Sequence, residues 1–290
     1  MRALIAYDSS PDAERAVALA AELRWPTKSE LLVAVAIEPS LLSAPLPGGG
    51  ILPLRAGSER QRLAGPVHAL RSTGRRVKAV VLRGRPASVL ADEAERSAAD
   101  LLIAGSRGRG GIASAVLGSV SAELVDHAPC PVLVARTGPI KSLVLAVDGS
   151  APAAAATSFL ATWPIFDGLP IHVVSVAVGM EPVEFGAAPP RYHRAAAQYS
   201  KAYAEEQESH TRIAAEAAER LRAEGRDARP TMRTSTRTAA DEIVRFATEM
   251  RSELVVVGSR GRTGLARIAL GSVARNVLYG SPTSVLIVRE

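Results

Sequence analysis

A single cysteine, Cys130, rules out an intrachain disulfide in this 290-residue chain, and its five histidines form no cluster with zinc-ligand spacing. No apolar run, 31–37 being among the longest, approaches the roughly 18–20 residues that cross a bilayer. Met1 and Arg2 lead straight into a strand-like run and Asp8, with neither a leader-type apolar region nor a cleavage site, so a cytoplasmic protein without membrane association is expected. Blocks of basic charge are also missing. The net charge is +6 and the pI about 9.9, but the basic residues, mostly arginine, are scattered among acids. With no zinc finger, aromatic-rich RNA-binding signature or long basic run, nucleic acid is not the expected partner. No Gly-x4-Gly-Lys-Ser/Thr segment occurs, which excludes the usual P-loop ATPase.

What is present is a repeat. The 47% apolar and 22% charged content suits a globular chain, and 290 residues suffice for about two domains. Residues 2–10 (RALIAYDSS) answer to 142–150 (SLVLAVDGS), and 105–120 match 258–273 at 11 of 16 positions. Each half closes on an apolar run, 131–136 and 284–289. The offset between halves grows from 140 (Asp8/Asp148) to 153 (Gly105/Gly258), so the second half has gained 13 residues. Thr137-Gly138-Pro139 breaks the chain between them, giving expected domains 1–137 and 140–290.

The first half alternates short apolar strands (3–7, 31–37, 77–82, 101–104, 132–135) with helical patterns (11–23, 58–72, 87–98, 119–126). Ser10 and Pro11 open the first helix. Fully apolar strands separated by helices predict an α/β fold, with two tandem doubly wound domains, each a five-stranded parallel sheet covered on both faces. A Pro/Gly-rich stretch, 45–53, follows the second strand. Its counterpart leads into a long helical pattern from about 191 to 224 that holds most of the extra residues.

Both matched segments read Gly-x2-Gly-x9-Gly-Ser: Gly105, Gly108, Gly118 and Ser119, then Gly258, Gly261, Gly271 and Ser272. The first glycine pair ends a buried strand and lets backbone approach a ligand. The second glycine opens a helix whose unpaired N–H groups and dipole favour an anion. The nine residues between predict an arch, with Arg107, Arg109, Arg260 and Arg262 adding positive charge. With strand order 3-2-1-4-5, Asp8 and Asp148, at the ends of the first strands, face these loops across the switch-point crevice. A carboxylate there suits ribose hydroxyls.

These residues resemble the ATP-binding branch of the universal stress protein family over essentially the whole chain. The resemblance implies that Asp8 and Asp148 hold ribose and that main chain near Ala36 and Val176 meets adenine. It places phosphates on Gly105, Gly108, Gly118, Ser119, Val120 and Ser121, and on Gly258, Gly261, Gly271, Ser272, Val273 and Ala274. ATP is the implied cofactor, with Mg reaching the protein through the phosphates and no direct metal ligand. The family's pairing through fifth strands would be met within the chain, association of two chains staying open. Stress response and regulation are implied in place of metabolism.

Departures stand out. Ser9 occupies the place of Gly149, Ala274 lacks the hydroxyl of Ser121, and Thr236-Arg237-Thr238-Ala239 replaces the Arg83-Gly84-Arg85-Pro86 turn. The expectation is a stronger first site. His68, His127, His172, His193 and His210 fall at unrelated positions in the two halves and Cys130 lies between prolines, so none is expected to catalyse. Binding without rapid turnover is the leading expectation. A slow ATPase or nucleotidyl-transfer enzyme and a nucleotide-free interaction scaffold are the alternatives.

Overall fold

The computed structural model describes residues 1–38, 43–45, 51–53, 60–108, 117–180, 190–261 and 270–289, with backbone alone at 43–45, 51–53 and 190–192. Arg109, Arg262 and the expected arches lie outside the described residues, as does most of the Pro/Gly-rich stretch.

The first half runs β1 (Arg2–Ala6), α1 (Pro11–Glu22), β2 (Glu30–Ile37), a two-stranded ribbon of β3 (Ser43–Pro45) and β4 (Ile51–Pro53), α2 (Ala64–Arg71), β5 (Arg76–Arg83), α3 (Pro86–Arg96), β6 (Leu101–Gly105), α4 (Ser119–His127) and β7 (Val132–Ala135). The second runs β8 (Leu143–Ala146), α5 (Ala151–Thr162), β9 (Ile171–Val178), α6 (Pro190–Ala223), β10 (Ala228–Ser235), α7 (Ala239–Glu249), β11 (Leu254–Gly258), α8 (Ser272–Gly280) and β12 (Ser284–Val288).

The order β5-β2-β1-β6-β7 is the expected 3-2-1-4-5, and β10-β9-β8-β11-β12 repeats it. The two sets form one ten-stranded sheet, because β7 and β12 pair antiparallel with Leu133 opposite Leu286. All other neighbours in this sheet are parallel. Alternation sends side chains to opposite faces, making two cores. Ile5, Val33, Ile103 and Leu133 join Leu145, Val173, Val256 and Leu286 in one; Leu4, Leu102 and Val134 join Val144, Val255 and Ile287 in the other. Both cores therefore continue through the seam.

Edges are blunted differently. The outer strands carry Arg76, Lys78 and Arg83 in β5, and Arg229, Pro230 and Arg233 in β10. Charge and a missing N–H deter further strand addition. At the seam, two arginines follow the pseudo-symmetry. Arg136, after β7, donates to the Leu278 carbonyl at 2.6 Å. Arg289, after β12, donates to Val125 O. Each guanidinium meets carbonyls near the C-terminal end of a helix, where the helix dipole favours a cation. Burial pushes the Arg136 pKa down to about 10.

Candidate functional site

Both first strands end in the same turn. The Ser10 and Ser150 N–H groups donate to Oδ1 of Asp8 and Asp148 at 2.9 and 3.0 Å. The same serines cap α1 and α5, accepting from Ala13 N and Ala153 N at 3.1 and 3.4 Å. The residue inside each turn is left-handed, Ser9 at φ 64° and Gly149 at φ 79°. Ser9 thus follows the same path as its glycine counterpart and bears the strain of doing so. Ser9→Gly is expected to raise stability by about 0.5–1 kcal/mol, the left-handed cost of roughly 1–2 kcal/mol being partly offset by a more flexible unfolded chain. A melting temperature that does not rise would overturn this.

The motif glycines are shaped by what they touch. A Cβ on Gly105 would lie 2.5 Å from the Asp12 carbonyl carbon, and one on Gly258 2.6 Å from that of Pro152. Strand and helix backbones therefore meet directly at these points. A Cβ on Gly108 or Gly261 would lie 2.8 or 2.9 Å from Oδ2 of Asp8 or Asp148. That contact brings the strand-end carboxylate onto the Gly-x2-Gly turn in each half. Gly118 N donates to Ser106 O at 2.7 Å and Gly271 N to Ser259 O at 2.8 Å, tying the start of each following helix to the end of the preceding strand. Gly118 and Gly271 are also the N-caps of α4 and α8. Having no side chain, they leave the N–H groups of the first turn, at Ser119, Val120, Ser272 and Val273, to a ligand.

In the second half these parts line a cleft. Val147, Val174, Val176 and Ile243 form its apolar wall, and Asp148, Arg260 and Gly261 its polar end. Val273 and Ala274 border it from α8. Ala36 is the first-half counterpart of Val176, half-buried near the end of β2. The cleft thus joins an apolar slot to a carboxylate and a glycine cradle.

Two of the expected site residues have partners within the fold. The Ser121 hydroxyl is buried and donates to Gly105 O at 2.6 Å, bracing the strand end. Arg107 is engaged by α1. Its Nε donates to Oδ2 of Asp12 at 3.3 Å, and Asp12 also pairs with Arg15 and accepts from the Ser106 hydroxyl at 2.5 Å. Burial raises the Asp12 pKa, but bonds from Ser106 and Arg107 and the charges of Arg15 and Arg107 outweigh it. The carboxyl is held below its ordinary range. Asp12 lies just beyond the matched run 2–10. Extending the repeat by two residues, to Asp12 opposite Pro152, is the signal that finds it.

His210 sits in a buried network on the other face of the sheet. Its Nδ1 lies 2.7 Å from Ser175 Oγ and its Nε2 3.1 Å from Glu206. Ser175 is fully buried and donates to Val147 O at 2.8 Å, which ties α6 to the strand that ends at the cleft. Among the described residues no group of three or more His, Cys, Asp or Glu could hold a metal ion, and no helix is long and apolar enough to cross a membrane.

The "Universal stress protein family" sequence model matches residues 1–136 and again 139–289. The "Universal stress protein in QAH/OAS sulfhydrylase 3'region" of Thermus aquaticus is 38% identical over 136 residues, 46% of this chain and 96% of that protein. Universal stress protein Rv2005c of Mycobacterium tuberculosis is 32% identical over 206 residues, 66% of this chain. The match spans 62% of that mycobacterial relative's length. In three dimensions, a universal stress protein from Archaeoglobus fulgidus DSM 4304 superposes with a TM-score of 0.67 at 16% identity, covering 99% of this chain and 98% of that one.

Proposed function

The chain belongs to the universal stress protein family, and from that premise we propose that it is an ATP-binding regulatory protein whose output depends on nucleotide occupancy. The observation that carries this is the second-half cleft, where Asp148, Gly258, Gly261 and Arg260 meet an apolar wall. The glycine cradle supports it, since a Cβ at Gly261 would occupy the space beside the Asp148 carboxylate. In this reading Asp148 takes ribose and main chain near Val176 takes adenine. The first turn of α8, at Ser272 and Val273, takes phosphate, with Mg held through the phosphates. The first half offers Asp8, Gly108, Gly118, Ser119 and Val120 for the same parts, and 1–137 and 140–290 act as its two domains. Stress response in the cytoplasm is the setting.

Binding without rapid turnover is part of the proposal. Hydrolysis needs a positioned water and a clamp on the transition state. What supports binding alone is a cradle built of N–H groups and glycines, with His210 committed to the opposite face of the sheet.

Thermal melting with and without ATP and Mg tests the reading. At a ligand concentration 100-fold above Kd, one site adds about 2.7 kcal/mol, or roughly 5–10 °C for a chain of this size. No shift in melting temperature, together with no nucleotide retained on purification, would overturn it. Phosphate released at a steady rate that Asp148→Ala abolishes would favour the slow ATPase.

A further inference from the structure

A second cleft, of about 440 Å³, opens in the second half beyond the end of β10. Tyr203 of α6, Thr234 of β10, Arg237 in the turn that follows, Asp241 of α7 and Asn276 of α8 line it. No described residue lines both this cleft and the one at Asp148, although α7 is a wall of each: Ala239 and Ile243 border the first, Ala240 and Val244 the second. In the first half the corresponding helices are bridged. Arg85, the N-cap of α3, donates to Glu123 of α4 at 3.0 Å. Thr238 and Asn276 stand at those two places in the repeat and carry no charges to pair.

The charges around this cleft divide into a closed set and an open pair. Glu242 accepts from Arg233 Nε at 2.8 Å and Arg245 Nε at 2.9 Å, and Glu249 accepts from Arg233 at 2.7 Å. Those two arginines and two glutamates satisfy one another. Arg237 and Asp241 bond only through their backbone N–H groups, and their exposed charged ends have no partner among the described residues. Tyr203 adds an independent sign. It is 8% exposed, and its buried hydroxyl has no hydrogen-bond partner, which is destabilising unless something supplies one. Its ring is held in place, parallel to Tyr199 and against Gly179, where a Cβ would lie 2.8 Å from Tyr203 Cε2.

We infer that this cleft binds a free α-amino acid with a polar side chain. An anion alone would meet Asp241, and a cation alone would meet Arg237 and the positive end of the α7 dipole. A zwitterion satisfies both. Its carboxylate goes to Arg237 and the first turn of α7, where the Thr238 hydroxyl takes only the N–H of Asp241 and the helix offers none of its own acceptors to Ala239 and Ala240. Its ammonium goes to Asp241. The side chain extends toward α6 and gives the Tyr203 hydroxyl its missing partner. The inference stands apart from the nucleotide reading, since it uses none of the residues assigned there.

The full chain is titrated calorimetrically with asparagine, glutamine, serine and threonine. At least one is expected to bind, at one equivalent per chain. Its N-acetyl form, without the ammonium, and its amide, without the carboxylate, are each expected to bind about tenfold or more weakly. Arg237→Gln and Asp241→Asn replace exposed side chains, leave the fold intact and are expected to weaken binding by a similar factor. Tyr203→Phe is expected to lower the affinity without lowering the melting temperature of the empty protein, because the hydroxyl it removes bonds to nothing there. A purely structural tyrosine would do the reverse. The inference is overturned if none of the four amino acids binds, if the blocked forms bind as well as the free one, or if neither charge substitution changes the affinity.

Discussion

Gly258→Ala is expected to cost about 3 kcal/mol of stability, near the upper end of what one forced methyl group does to a packed core. The added Cβ would sit 2.6 Å from the Pro152 carbonyl carbon, 2.7 Å from its oxygen and 2.8 Å from its Cβ. None of these atoms can swing aside, because they belong to backbone and a proline ring at the start of α5. Relief requires α5 to lift from the sheet where Val256, Ala153 and Ala156 are packed in one core. Gly105→Ala meets the same obstacle in Asp12, with the Cβ 2.5 Å from its carbonyl carbon. Gly138 has nothing within 4 Å of its would-be Cβ, so Gly138→Ala is the control. The measurement is the melting temperature, with a fall of roughly 5–10 °C expected for Gly258→Ala. A melt indistinguishable from that of Gly138→Ala would refute the close approach.

Asp148→Ala is expected to weaken ATP binding roughly tenfold to hundredfold. The carboxylate is already aimed. Oδ1 accepts from both the N–H and the hydroxyl of Ser150, at 3.0 and 2.5 Å, which turns Oδ2 toward Gly261 at the mouth of the loop. A hydrogen bond from a ribose hydroxyl to an ionised acceptor contributes about 1.5–3 kcal/mol, and each 1.4 kcal/mol is a factor of ten. Comparing ATP with its 2',3'-dideoxy analogue in both proteins isolates that contact. The unaltered protein should prefer ATP, and Asp148→Ala should bind the two nearly alike. Equal preference before and after substitution would mean that the ribose lies elsewhere.

Strand order, most helix starts and the pairing of Asp8 with Gly108 were legible because each rests on local chemistry repeated at fixed spacing, whereas the helix expected over 58–72 is found at Ala64–Arg71. Apolar runs such as 101–104 can only be buried strands, and Ser10-Pro11 can open a helix in any surroundings. The long helix α6 was equally plain, found at Pro190–Ala223 against an expected span of about 191–224. What stayed hidden depends on partners distant in sequence. Nothing local announces that the Ser121 hydroxyl bonds to Gly105 O, 16 residues away. The capture of Arg107 by Asp12 spans 95 positions. Ser9 hid differently: a serine gives no sign of a positive φ, although Gly149 opposite it in the repeat does. The β3–β4 ribbon lies in a stretch whose prolines and glycines suggest only a loop.

The seam between β7 and β12 has an evolutionary consequence. In a pair of identical chains every substitution appears twice, once in each site, so one cradle cannot be altered without the other. Here Leu133 faces Leu286 and Arg136 mirrors Arg289 inside a single polypeptide. The joint can keep its near-symmetry while positions such as Asp12 and Pro152 drift apart. Covalent duplication thus supplies what a symmetric dimer cannot: two inherited copies of one loop, free to specialise, with the partner always at hand.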